Sequence, residues 1–126
     1  MTTDLIESLL QSLPESHRTT SDDDLFLDRE APTIALGTIG ELFTEAVDAG
    51  LDRDRIAAFL HRVEAVMTDG NDYEKDVMAT GLLEALVHRA DEGFDFSLID
   101  PYLGPESRAY CHAYNEFTGV PTPGLS

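Results

Sequence analysis

The chain has 126 residues with 25 Asp and Glu against 8 Lys and Arg, which gives a formal net charge of −17 at pH 7. One domain fits this length, and the charge argues against binding to nucleic acid or anionic membrane, since both require cationic side chains. The electrostatic field of this negative charge attracts a basic protein partner and raises the rate of association with it. The alternative is a salt-adapted proteome, in which the acidity only keeps the protein in solution.

A cytoplasmic location is predicted from three further features. The first 13 residues carry Asp4 and Glu7 instead of the basic and then apolar pattern of a signal peptide. No stretch approaches the roughly 18 apolar residues that span a bilayer. Cys111 is the single cysteine, so an internal disulfide is excluded.

The N-terminal third predicts a short helix and an acidic linker. Residues 4–13 have apolar side chains at helical spacing, and Pro14 ends this amphipathic helix. Residues 14–31 are polar and acidic, and we interpret them as a linker within the domain. The apolar run 25–27 interrupts the linker and is expected to dock on the core.

Two longer helices follow. Residues 32–49 predict the first, with Gly50 as its stop, although Gly37 and Gly40 predict irregular initial turns. Residues 53–69 predict the second, capped by Asp52. Three outward carboxylates on the first of these helices, three and four residues apart, predict an acidic ridge: Glu41, Glu45 and Asp48.

A central helix is predicted over residues 72–92. Asn71 is a good N-cap, Glu74 three residues later resembles a capping box, and Gly93 is the expected stop. Gly81 in its interior costs about 1 kcal/mol in helix propensity, so a neighbouring helix is expected to approach closely there. Three carboxylates add negative charge at the positive end of the helix dipole: Asp72, Glu74 and Asp76.

An aromatic connector and a final helix complete the chain. Residues 94–103 predict a packed connector with one helical turn near residues 98–102, and Pro105 starts a helix that Gly119 ends. Residues 120–126 are rich in Pro and Gly and predict a flexible tail. Four residues of the final helix form one stripe: Tyr110, Ala113, Tyr114 and Phe117.

The predicted architecture is all-α. Residues 1–119 form a single domain of four to five mostly antiparallel helices, arranged as a bundle or as a short helical-repeat-like stack. No alternating β-branched runs joined by hairpin turns compete with this interpretation.

Few residues have spacing suited to catalysis. Glu84 and His88 share a face of the central helix, and His61 and Glu64 share a face of the helix before it. A bundle metal site needs Glu-x-x-His on two helices plus two more Glu, and this set is absent. No metal or cofactor is therefore predicted, and the default interpretation of these residues is a surface ion pair or a polar position flanking the core. Cys111 is interpreted as a small buried apolar residue.

Residues 81–119 resemble a group of small acidic helical bacterial proteins of unassigned function, some of which look like immunity proteins that neutralise a toxin. The matching features are Leu83-Glu84-Ala85-Leu86, then Tyr102-Leu103-Gly104-Pro105, then an aromatic final helix closing at Phe117-Thr118-Gly119. The resemblance implies a helical fold and a protein partner, and it implies no catalytic residue.

The first functional hypothesis is therefore a non-enzymatic protein that occludes a basic partner, most concretely an immunity protein that neutralises a cognate toxin. A structural or adaptor subunit is the second, and a metal-dependent helical-bundle enzyme is the third. Tyrosine side chains can anchor an interface while partly exposed to solvent, because the hydroxyl group is polar, although they pack in cores more often. The candidate contact residues are the six carboxylates named above together with three tyrosines: Tyr102, Tyr110 and Tyr114.

Overall fold

A computed structural model describes residues 2–13 and 32–126, and in these ranges the chain is helical with no strand. The predicted all-α class is thereby confirmed. The acidic linker 14–31, with its apolar run 25–27, lies outside the described residues. The helices in chain order are α1 (Thr2–Gln11), α2 (Pro32–Asp48), α3 (Arg53–Asp69), α4 (Asp72–Val77), a π segment (Met78–Leu83), α5 (Glu84–Asp91) and α6 (Pro105–Thr118), with 3₁₀ turns at Phe96–Leu98 and Asp100–Tyr102.

The predicted helix ends are confirmed by their capping contacts. The Asp52 side chain accepts a 2.9 Å hydrogen bond from the backbone N–H of Arg55. Asn71 and Glu74 form a reciprocal capping box, with bonds of 2.8 and 3.0 Å. Gly93 has a φ of 114°, a conformation that L-residues rarely adopt, and it follows the last turn of α5.

The central helix 72–91 contains a π segment that the sequence did not indicate. The backbone N–H of Glu84 bonds to the carbonyl of Ala79, five residues earlier, instead of four. A π turn holds one extra residue, so the residues after it are rotated by about 100° relative to an uninterrupted α-helix. This rotation changes which side chains of α5 face the final helix.

Glycines allow α2 and the central helix to approach closely. A Cβ atom on Gly81 would lie 2.7 Å from the carbonyl oxygen of Thr33, and one on Gly40 would lie 3.2 Å from that of Leu82. The close approach predicted at Gly81 is therefore confirmed. By contrast, the irregular turns predicted for α2 are not found, because α2 is α-helical from Pro32 onward.

Short turns make sequential neighbours antiparallel, as predicted. The rings of Phe43 on α2 and Phe59 on α3 stack with centroids 4.0 Å apart. Two other helix pairs run in the same direction: α2 with the central helix, and α5 with α6. Thr44 of α2 contacts Arg89 of α5, one turn beyond the contact of Gly40 with the central helix. α5 and α6 also run in the same direction, because the connector returns the chain to the start of α5 before α6 begins.

The core lies between α2, α3 and the central helix, and apolar side chains of α1 and of the connector are part of it. Arg62 Nη1 donates to Ser8 Oγ and joins α3 to α1. Cys111 is a buried apolar side chain of α6, as the sequence predicts. The largest fully buried side chains are Phe43, Phe59, Phe96, Leu9, Leu13, Leu36, Ile39, Leu60, Met78, Leu82, Leu83 and Leu86.

Residues 120–126 pack against the domain, in place of the flexible tail that the sequence predicts. Ser126 donates from its backbone N–H to Asp100 (3.0 Å) and accepts at its carbonyl from Arg108 (3.0 Å). Thr122 is buried, and Leu125 packs against the core. The bonding partners are distant in sequence, so the Pro- and Gly-rich composition of the segment contains no sign of this docking.

Candidate binding surfaces

Four polar residues join α5 to α6 in what we call the tyrosine seam: Glu84, His88, Tyr110 and Tyr114. The Tyr110 hydroxyl donates to Glu84 Oε2 at 2.6 Å, and Tyr114 Oη lies 3.2 Å from His88 Nε2. The two tyrosine rings stack with centroids 6.4 Å apart. Two of the predicted tyrosine anchors are thus held in place by the Glu84 and His88 side chains.

The seam favours a protonated, structural state of its phenols. Burial raises the pKa of Tyr110 well above 10, and its hydrogen bond to the Glu84 carboxylate raises it further. Burial also raises the pKa of Tyr114, with smaller contributions from Glu84 and Asp91. Next to the seam, burial raises the pKa of the Cys111 thiol to about 12, so this sulfur is not a thiolate at neutral pH.

The two Glu and His pairs that share a helix face, Glu84 with His88 and His61 with Glu64, do not form one site. Glu84 and His88 contact α6 through the tyrosine seam, whereas Glu64 caps the start of α6. Its carboxylate accepts hydrogen bonds from the backbone N–H groups of Glu106 (3.0 Å) and Ser107 (2.9 Å), and from the Ser107 hydroxyl (2.8 Å). In the part of the chain that the structure describes, no group of three or more His, Cys, Asp or Glu could hold a metal ion.

A groove of about 340 Å³ runs between α2 and the central helix, over the π segment. Ile34 stands at its edge with 58% of its surface exposed. Carboxylates occur on both banks, so the groove combines apolar surface with negative charge. The residues that give this acidic groove its character are Ile34, Glu41, Glu84, His88, Arg89 and Glu92.

The predicted acidic ridge is exposed and continues the bank of the acidic groove. Glu41, Glu45 and Asp48 are all exposed on α2, and Glu41 also lines the groove. Between described residues there are two ion pairs, Arg89–Glu92 at 3.6 Å and Arg108–Asp100 at 2.6 Å. Neither involves a ridge carboxylate, so the charge of the ridge is not neutralised by a neighbouring cation among these residues.

The carboxylates at the start of α4 divide into two kinds. Asp72 and Asp76 are exposed, whereas Glu74 is half-buried and engaged in the capping box. Tyr73 between them is 56% exposed and was not among the predicted anchors. Its position in the first turn of a capped helix was the available signal, because side chains there seldom reach the core.

The remaining aromatic candidates have different environments. Tyr102 is half-buried in the connector and faces α3 rather than the tyrosine seam. Phe117, predicted to share a stripe with Tyr110 and Tyr114, is 85% exposed at the end of α6. The binding roles of all the candidate residues stay predictions.

Residues 6–119 match a family described as a domain of unknown function, DUF7674, and the chain belongs to this family. Searches of curated proteins and of solved structures gave no significant match. Among the described residues, no helix is long and apolar enough to cross a membrane.

Proposed function

We propose that this protein is a non-enzymatic acidic binding protein that occludes a basic partner, most concretely an immunity protein that neutralises a cognate toxin. The observation that carries the proposal is the exposed acidic ridge beside the acidic groove, with Glu41 common to both. An exposed ridge whose carboxylates are in neither ion pair between described residues, next to an apolar edge, has the composition expected for docking a cationic protein.

The mechanism is steric and electrostatic. Ridge carboxylates pair with the Lys and Arg side chains with which the partner would otherwise hold phosphate. Ile34 at the edge of the groove supplies apolar surface that loses water on contact. The net charge of −17 steers the encounter, so the association rate falls as salt screens the field.

An affinity capture from lysate of the source cell, at low and moderate salt and with mass-spectrometric identification, tests this function. We expect one basic protein at near-equal stoichiometry, with recovery reduced at moderate salt. A partner whose recovery is independent of salt would overturn the electrostatic mechanism.

Two charge-matched variants localise the contact. Replacing Glu41, Glu45 and Asp48 together by Lys should abolish capture, because the ridge then repels a basic partner. The control replaces three exposed carboxylates elsewhere, Glu7, Asp69 and Glu116, by Lys and gives the same net charge. Equal losses in both variants would assign the effect to net charge and count against the ridge.

A structural or adaptor role is the second candidate, and the exposed end of α6 favours it. Phe117 is 85% exposed and Val120 is 48% exposed, an apolar pair without cover among the described residues. In that case Phe117→Ser would abolish capture of a salt-insensitive partner, while the triple Lys variant of the ridge would retain it.

A further inference from the structure

A second pocket, of about 560 Å³, lies between α3 and the junction of the connector with α6. Its volume falls within the range of small-ligand clefts, about 300–1,000 Å³. Small apolar side chains, one aromatic ring and several polar groups line it. Its characteristic lining residues are Asp54, Ala57, Ala58, His61, Tyr102 and Pro105.

The two carboxylates of this pocket differ in their availability. Glu64 also lines it, but three hydrogen bonds to the start of α6 already occupy its oxygens. Asp54 is exposed in the first turn of α3 and is in neither of the ion pairs between described residues. A ligand in the pocket therefore meets one carboxylate that is in no ion pair between described residues, and one half-buried aromatic ring.

We propose that this pocket accepts an arginine side chain of the basic partner, with its guanidinium between Asp54 and Tyr102. This occupant rests on the proposed function, and it adds to that function a specific anchor point that contains none of the ridge carboxylates. Charge complementarity selects the occupant, because the cavity offers a carboxylate and an aromatic face in a chain of net charge −17.

The shape and composition of the pocket match the parts of an arginine side chain. The aliphatic stem would lie along Ala57, Ala58 and Pro105, since arginine buries its methylene groups while the charged end stays near water. The planar guanidinium can lie against the Tyr102 ring and donate to Asp54 at the same time. Lysine has a compact ammonium without a planar face, so it uses only the charge.

The test is a titration of the isotopically labelled full chain followed by amide chemical shifts, at low salt and fixed pH. The probes are Nα-acetyl-arginine amide and, as an uncharged isostere, Nα-acetyl-citrulline amide. We expect saturable shifts from the arginine probe confined to residues 54–64 and 102–105, with dissociation in the millimolar range, and none from the citrulline probe. Equal shifts from both probes would overturn the proposal.

Matched variants on α3 locate the contact. Asp54→Asn should weaken the arginine probe about fivefold, the upper end for a surface ion pair. Asp69→Asn removes the same charge from the other end of the same helix and should leave affinity unchanged. Ala57→Leu adds bulk to the lining of the pocket and should abolish the shifts, while the amide spectrum of the rest of the chain remains that of a folded protein. Retained binding in both Asp54→Asn and Ala57→Leu would contradict the assignment.

Two further measurements separate this inference from the proposed function. The triple Lys variant of the ridge should bind the arginine probe as the wild type does, so loss of capture with intact probe binding would leave the pocket assignment standing. Nuclear Overhauser contacts between the Phe26 ring and the Ala57 and Ala58 methyl groups in the free protein would overturn it, because the chain would then fill its own pocket.

Discussion

The Tyr110 hydroxyl donates a 2.6 Å hydrogen bond to Oε2 of Glu84, the first residue after the π segment. This contact joins the final helix to the central helix where the helical register changes. One turn further on, Tyr114 and His88 repeat the pairing at 3.2 Å. The tyrosine seam therefore couples the position of α6 to the π segment.

Removing the Tyr110 hydroxyl should destabilise the protein more than removing that of Tyr114. Tyr110→Phe leaves the half-buried Glu84 carboxylate without this donor, which costs about 1.5–3 kcal/mol for a hydrogen bond to a charged group. Tyr114→Phe loses a longer bond on the exposed side and should cost less than about 1 kcal/mol. Urea unfolding of both variants measures the difference, and equal losses would contradict it.

Alkaline pH should weaken the fold through the same residue. The pKa of Tyr110 is about 10 in the unfolded chain and is raised above that value in the folded chain. At a pH between the unfolded-state and the folded-state pKa, the folded chain therefore holds a proton that the unfolded chain releases. Its contribution is complete below pH 10 and declines as the pH rises toward the folded pKa. The stability difference between wild type and Tyr110→Phe should therefore shrink above pH 10, and a constant difference would be inconsistent with this linkage.

Two glycine substitutions should have opposite signs. Gly81→Ala places a Cβ 2.7 Å from the Thr33 carbonyl oxygen, so the helices must separate, at a cost of about 1–3 kcal/mol. Gly37→Ala places its Cβ 3.6 Å from the nearest atom, an ordinary contact, and should stabilise the protein by about 0.5–1 kcal/mol. Thermal unfolding distinguishes the pair, and stabilisation by Gly81→Ala would refute the close packing.

Loss of the Glu64 carboxylate should loosen the start of α6. Glu64→Ala removes the acceptor for two backbone N–H groups and the Ser107 hydroxyl, at about 1–2 kcal/mol, as for other N-cap losses. Amide hydrogen exchange should accelerate at Glu106 and Ser107 more than in the middle of α3. Glu64→Gln should have a smaller effect, because one carbonyl oxygen remains as an acceptor.

Asp100 should hold residues 120–126 against the domain. Burial acts to raise its pKa, but hydrogen bonds from Ser126 and Arg108 outweigh burial and lower it. Stability from this group is thus present above pH about 3.9 and is lost as the pH falls through the lower folded pKa. Asp100→Asn should speed amide exchange in residues 120–126 at neutral pH, and unchanged exchange would show that the segment docks by other contacts.

Local sequence patterns are sufficient to predict the all-α class and most helix ends. Asp52, Asn71 with Glu74, Gly93 and Pro105 act through contacts within a few residues, so their roles follow from local spacing. The exposed Glu41, Glu45 and Asp48 followed for the same reason, because one face of α2 is apolar and the other is charged.

Which distant side chains meet depends on how the helices pack in three dimensions. Glu64 caps a helix 42 residues away, Glu84 turns toward Tyr110 after a π segment, and Asp100 binds the final residue. These partners are selected by how the helices pack, and packing depends on the shapes of all contacting faces together. The spacing of residues within one helix does not specify contacts between helices. The tyrosine seam, the acidic groove and the pocket beside Tyr102 therefore could not be predicted from it.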